Sequence, residues 1–184
     1  MEKRRKWQSG YQEDAMVVNV CYAASEPSIG LRLKEDDSTF KCYLGDTGLL
    51  ISLAFDESTI AHEELFRKLM LDKLEINKGM LVENIVAQML KTSGHELYFF
   101  SSYSKEDSEE TMEIDFLIRK PTISSRHIII PIEVKSGKIY TTTSLDKFFR
   151  KYGKLLTPPF VMHSGDVKKV VNVTYLPLYM TPLL

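Results

Sequence analysis

The chain has 184 residues, of which 43% are hydrophobic and 27% charged, with a formal net charge of −1; its mass is 21.2 kDa and its pI is near 6.4. A chain of this size buries roughly 70% of its unfolded surface and needs neither disulfide nor metal to hold a core. The composition excludes a disordered chain, and the near-neutral charge excludes a uniformly basic nucleic-acid binder, so any such role must rest on a local patch.

The two cysteines, Cys21 and Cys42, make neither a disulfide framework nor a zinc ligand set and are expected to be reduced thiols of a cytoplasmic protein. The apolar runs fall far short of the ~20 residues of a membrane span. The basic start Met1–Lys6 is not followed by the apolar core of a signal peptide.

Residues 1–14 are polar and read as a tail. Ala15–Ala23 is apolar and β-branched and reads as a strand. Loops at 26–28 and 34–38 flank a short run, Ile29–Leu33, and Phe40–Leu44 is a second short strand. Gly45-Asp46-Thr47-Gly48 punctuates the chain, with Asp46 or Thr47 placed to cap an apolar turn over Leu49–Phe55. The spacing predicts helices over 59–74 and Lys78–Thr92. In the second, Leu81, Val82, Ile85, Val86, Met89 and Leu90 form one stripe, Asn84, Gln88 and Lys91 lie opposite, and Glu83 sits at the stripe's edge.

After Gly94 the period changes to two. Glu96–Tyr103 reads as a strand and 105–110 as an acidic loop. Met112–Arg119 alternates, with Met112, Ile114, Phe116 and Ile118 facing one way and Glu113, Asp115 and Leu117 the other. His127–Lys135 is a third strand, in which Pro131 predicts an edge position or a bulge. Thr143–Gly153 reads as a helix capped by Ser144, and Phe160–His163 and Val170–Tyr179 as closing strands. Three strands between two helices point to a mixed sheet with helices packed on it.

Four residues break these apolar patterns. Asp115 is mid-strand, Glu133 and Lys135 end the most hydrophobic strand and share one side of it, and Glu83 is the helix-edge acid. Burying bare carboxylates costs several kcal/mol unless they are compensated. Three acids converging with one lysine are not neutralised by ion pairing alone; a hard divalent cation, which takes oxygen ligands, resolves this. The lysine is then placed to activate water or to neutralise charge developing on a phosphate. The bland alternative is an ion pair of Lys135 with Asp115 or Glu133.

An Asp on one strand, Glu-x-Lys on the next and a Glu on the preceding helix resembles the PD-(D/E)XK nuclease-like superfamily. Phe40–Leu50, Lys78–Asn84, Glu113–Ile118, Pro131–Gly137 and Ser144–Gly153 are similar to the C-terminal domain of unknown function that follows an AAA+ ATPase module in many prokaryotic proteins. The resemblance runs from about Phe40 to Leu178. It implies an α/β, restriction-endonuclease-like αβββαβ core, a mixed sheet flanked by helices, over residues 39–184, with residues 1–38 a tail and the remnant strand of a preceding region. It further implies Asp115, Glu133 and Glu83 as ligands of Mg²⁺ or Mn²⁺, Lys135 as the catalytic lysine, and DNA and an ATPase module as partners. The Gly-rich phosphate loop of such ATPases is absent, so no ATP site is expected in this chain.

Lys138, near Lys135, is a candidate phosphate contact. The other basic residues of 135–154 read as a solvated helix face rather than a phosphate track. The histidines lack zinc-ligand spacing, and no Gly-x-Ser-x-Gly elbow supports a serine hydrolase. Two functions remain: a Mg²⁺-dependent phosphodiesterase acting on DNA, and a catalytically inactive nuclease-fold module for DNA binding, regulation or assembly.

Overall fold

β-branched and aromatic residues favour a pleated, half-buried surface, and in a computed structural model of the chain Val18–Ala24 forms strand β1. The structure describes residues 17–28, 30–54, 78–120, 129–137 and 139–184. The tail at 1–14, the expected helix over 59–74, His127 and Lys138 lie outside the described residues. Among the described residues the elements run β1 (Val18–Ala24), β2 (Glu35–Leu44), α1 (Thr47–Ala54), α2 (Lys78–Thr92), β3 (Leu97–Ser102), β4 (Met112–Arg119), β5 (Ile129–Lys135), α3 (Thr143–Tyr152), β6 (Phe160–His163), β7 (Lys168–Val170) and β8 (Val173–Pro177), with short 3₁₀ turns between and after them.

One eight-stranded mixed sheet has the order β2-β1-β3-β4-β5-β6-β8-β7. Neighbours pair antiparallel except β1 with β3, β5 with β6 and β6 with β8, which are parallel. Two apolar clusters cover its two faces. On one, Val82, Val86 and Leu90 of α2 meet Phe116, Ile118, Ile130, Ile132 and Val134. On the other, Leu145 and Phe148 of α3 meet Ile114, Leu117, Ile129 and Val161. The sheet is thus flanked by helices on both sides.

The ends of the elements follow local chemistry. Asp46 caps α1, its Oδ1 accepting from Leu49 N at 2.9 Å. The region expected to be a loop at 34–38 is largely strand. β2 begins at Glu35, and the polar residues are absorbed in a bulge, because the register jumps from Tyr22↔Phe40 to Ala23↔Asp36. Asp36 Oδ1 accepts from Ser38 N at 2.9 Å, closing that bulge as a side-chain turn. The boundary placed at residues 38 and 39 falls inside β2, and β1 lies between β2 and β3 in the same sheet.

Several expectations are corrected. Asn84, expected on the outer face of α2, is buried, because α2 packs against β2 and α1 as well as the sheet. Its Oδ1 accepts from Leu44 N at 2.7 Å, and its Nδ2 donates to Leu44 O and to Thr47 Oγ1, both at 3.1 Å. Ser144 is not the cap of α3; Thr142 holds that position, with no side-chain cap bond. The strand expected over Val170–Tyr179 is a hairpin, β7 to β8, followed by a 3₁₀ helix over Leu178–Leu183.

Pro131 lies in neither an edge strand nor a bulge: β5 is central, and Pro131 pairs with Leu117 in its ladder. It is tolerated because pairing to β6 begins only at Ile132↔Phe160, beyond an isolated bridge at Ile129↔Leu156, so a missing N–H there breaks no ladder bond.

The bulge is across the ladder, in β4. From Tyr98↔Leu117 to Phe100↔Ile114, β4 advances three residues while β3 advances two. The extra residue falls at Asp115–Phe116 and reverses the alternation. Met112, Ile114 and Leu117 therefore pack on the α3 side, and Phe116 and Ile118 on the α2 side; the single alternating face expected for 112–118 does not form.

Candidate active site

β4 and β5 run as an antiparallel ladder from Arg119↔Ile129 to Phe116↔Ile132, and there the pairing stops. One step further the register would set Asp115 opposite Glu133. Instead the strands part, and the Asp115 carboxylate fills the fork, its Oδ2 accepting from Val134 N at 2.7 Å. The bulge frees Asp115 from the β3 ladder; the fork supplies an orphan backbone donor to hold it.

Glu133 is 1% exposed. It sits on the α3 side, where the backbone N–H of Leu145, in the first turn of α3, lends it positive charge. Lys135 Nζ stands 3.0 Å from Glu133 Oε2. That ammonium is the ion-pair partner of Oε2, which is buried and meets no other polar partner among the described residues. Burial pushes the Glu133 carboxyl above the usual range, with Asp115 adding to the rise while Lys135 and Leu145 oppose it. Burial likewise raises Asp115, against the pull of Val134 N–H, Lys41 and Lys135.

Glu83, on α2, lies within electrostatic reach of Asp115. It is half-buried, and Tyr43 Oη donates to its Oε2 at 3.3 Å. Burial raises its pKa and Asp115 raises it further, while Lys41 lowers it. Lys41, on β2, is ion-paired to Glu113 at 2.5 Å and stands 4.9 Å above the Phe99 ring. Burial lowers the Lys41 ammonium, but Glu113, then Asp115 and Glu83, more than offset this, and it ends above the ordinary lysine value. Under this cluster lies Cys21, fully buried, its thiol pushed up by burial and so kept protonated and unreactive.

The four residues picked out from sequence thus form two halves sharing Asp115. Glu133 and Lys135 meet it on one side of the fork, and Glu83, with Lys41 and Tyr43, on the other. Among the described residues, no group of three or more His, Cys, Asp and Glu side chains gathers closely enough to hold a metal ion. Mg²⁺, however, usually takes one or two carboxylates and completes its shell with water and phosphate. A buried Glu133 oxygen with only the Lys135 ammonium beside it, and the half-buried Asp115 carboxylate close enough to raise its pKa, fit that need. Asp115 and Glu133 are the fitting pair, and Glu83 supports Asp115.

Sequence reasoning missed Lys41 and Tyr43. Their spacing of two on a strand ending at Gly45 was the available signal, since it sets both on one face. The basic face of α3 and the acidic turn are explained by each other. Arg150 pairs with Glu109 at 2.8 Å, Lys151 pairs with Glu110, and Lys147 Nζ donates to Ser108 O at 2.5 Å.

A family model described as Domain of unknown function (DUF4143) matches residues 78–180, more than half of the chain, and the chain belongs to that family. The match runs from α2 into the turn after β8 and includes Glu83, Asp115, Glu133 and Lys135. No curated protein and no solved structure matches the chain. Among the described residues, no helix is long and apolar enough to cross a membrane.

Proposed function

We propose that the chain is a divalent-metal-dependent, nuclease-like domain that hydrolyses phosphodiester bonds in DNA, on a restriction-endonuclease-like core made by α2, β3, β4, β5, α3 and β6. The observation that carries this reading is the fork itself: Asp115 held at its mouth by Val134 N–H, and beside it a buried Glu133 whose Oε2 has the Lys135 ammonium as its one polar neighbour among the described residues. A structural ion pair has no need of that surplus of buried acid.

In this reading Asp115 and Glu133 hold Mg²⁺ or Mn²⁺, with Glu83 behind Asp115. The cation supplies Lewis-acid polarisation of a phosphoryl oxygen. Lys135 brings a positive charge to the same point, to neutralise the charge that develops on phosphorus-bound oxygens and to orient the attacking water. Burial of the acids sharpens both effects, since charges act more strongly where water is excluded. The domain works beside an AAA+ ATPase module, which supplies the nucleotide chemistry this chain lacks.

A second reading is favoured by the Lys135–Glu133 ion pair: the pair is the resting state of an inactive module used for DNA binding, regulation or assembly. Calorimetric titration with Mn²⁺ and Mg²⁺, followed by cleavage of plasmid and linear DNA, separates the two. The first reading expects millimolar-or-tighter metal binding and cleavage lost in Asp115→Ala. No metal binding, together with identical behaviour of wild type and variant, refutes it.

A further inference from the structure

A chain of near-neutral charge meets a polyanion only through a local basic patch, and α3 carries one. Lys147, Arg150 and Lys151 stand at i, i+3 and i+4 and share its outer face. The inner face needs none of them. Leu145 and Phe148 are buried, and the Phe100 ring packs on Phe148 and Tyr152 with centroids 5.0 and 5.5 Å apart. Apolar packing therefore seats the helix on the sheet.

The outer face is covered by the acidic turn between β3 and β4, a 3₁₀ turn over Ser108–Glu110. Arg150 Nη2 lies 2.8 Å from Glu109 Oε2, and Lys151 pairs with Glu110. Lys147 Nζ donates to Ser108 O at 2.5 Å and to Thr111 O at 3.3 Å. Each of the three cations thus faces an acceptor oxygen of one short segment, 108–111. A row of oxygens, two of them charged, is also what a phosphate backbone offers to lysine and arginine.

The turn does not depend on α3 for its shape. Ser104 Oγ accepts from Asp107 N at 3.1 Å, and Asp107 Oδ1 accepts from Glu109 N at 2.8 Å. Thr111 Oγ1 accepts from Ser104 N and donates to Ser104 O, both at 3.1 Å. The ion pairs are also wet. The side chains are 67% and 58% exposed for Arg150 and Glu109, and 38% and 44% for Lys151 and Glu110. Exposed pairs of this kind hold weakly and give way to a stronger anion. The face adjoins the fork as well: Lys147 is two residues along α3 from Leu145, whose N–H serves Glu133.

We propose that the outer face of α3 is a contact surface for the DNA backbone, and that Glu109 and Glu110 occupy it as displaceable stand-ins for phosphate. DNA that lies along α3 to reach the fork evicts both carboxylates, so the turn acts as a brake on binding. The choice of DNA as the polyanion rests on the nuclease-like reading, but the contact itself requires neither metal nor hydrolysis.

Binding of a short fluorescent duplex, followed by anisotropy in EDTA, tests this. Glu109→Gln/Glu110→Gln is expected to bind about tenfold tighter than wild type at low salt, with the melting temperature little changed. In wild type each evicted carboxylate takes back a counterion that phosphate has released, so the dependence of log K on log salt is expected to be steeper in the variant by about 2. Glu26→Gln/Glu96→Gln, which raises the net charge equally, is expected to stay close to wild type. Adding Lys147→Gln, Arg150→Gln and Lys151→Gln to the first variant is expected to abolish its gain. In wild type, duplex is expected to shift the side-chain carboxyl resonances of Glu109 and Glu110 in NMR. No gain over the Glu26/Glu96 variant, a gain that survives loss of the three bases, or unmoved carboxyl resonances in DNA-bound wild type each overturns the proposal. The expected gain without cleavage in Mn²⁺ leaves the surface standing and counts against the nuclease-like reading. Cleavage in Mn²⁺ with no gain in binding upholds that reading and refutes this one.

Discussion

Asp115 offers the sharpest separation of a functional acid from a structural one. It contributes a hydrogen bond, from Val134 N at 2.7 Å, and a charge. The two are separable, because asparagine at 115 retains an oxygen for Val134 N–H and discards the charge. Around Asp115 stand the carboxylates of Glu83, Glu113 and Glu133 against the ammonium groups of Lys41 and Lys135. The carboxyls of Asp115, Glu83 and Glu133 are all raised, with burial the largest cause in each. An acid whose folded pKa exceeds its unfolded value binds more protons when folded, so its ionisation weakens the fold. Stability from these groups is full below the ordinary carboxyl range and falls as pH rises through their raised values.

At neutral pH the Asp115 charge is therefore a cost, and each pKa unit of elevation amounts to about 1.4 kcal/mol. Asp115→Asn gives up part of a charge-assisted bond but sheds that cost, and is expected to gain roughly 1 kcal/mol, or about 2–4 °C for a domain of this size. Asp115→Ala strands the Val134 N–H and is expected to lose about 1–3 kcal/mol. Both are measured by urea and thermal denaturation in EDTA across pH 4–8, where Asp115→Asn is also expected to flatten the fall in stability toward neutral pH. If Asp115→Asn proved as destabilised as Asp115→Ala, the charge would be stabilising, and the fork would be an ion-pair cluster rather than a site holding surplus acid.

Divalent metal is expected to raise the melting temperature of the wild type and not of Asp115→Asn; at 100 times the dissociation constant the gain is about 2.7 kcal/mol, readable by differential scanning calorimetry. Asn84→Ala removes bonds to Leu44 N, Leu44 O and Thr47 Oγ1 from a buried position and is expected to cost roughly 2–4 kcal/mol in denaturant titration. Val171 adopts φ 52°, a left-handed conformation costly for a β-branched residue, in the turn between β7 and β8. Val171→Gly is expected to stabilise by about 1 kcal/mol, and an unchanged or lower melting temperature would count against strain there. A double-mutant cycle on the exposed Arg150–Glu109 pair is expected to give under about 1 kcal/mol and to vanish in high salt.

The sequence alone located α2 at Lys78–Thr92, β4 at Met112–Arg119 and β6 at Phe160–His163, because periodicity and punctuation act over a few residues and need no partner. The same local logic marked Glu83, Asp115, Glu133 and Lys135, since an acid that breaks an apolar pattern is conspicuous in one dimension. What the tertiary structure decided is how those residues meet. The bulge at Asp115–Phe116, which re-aims the acid and reverses the faces of β4, exists only relative to β3. The fork that holds Asp115 on Val134 N–H depends on where β4 and β5 stop pairing. Asn84 looks like a solvent-facing residue until β2 and α1 cover that side of α2, and Lys41 joins the cluster only because β2, an edge strand of the sheet, lies against α2. Pattern reports which side chains resist a simple core; only the long-range pairing of strands distant in sequence fixes which of them share a charge environment.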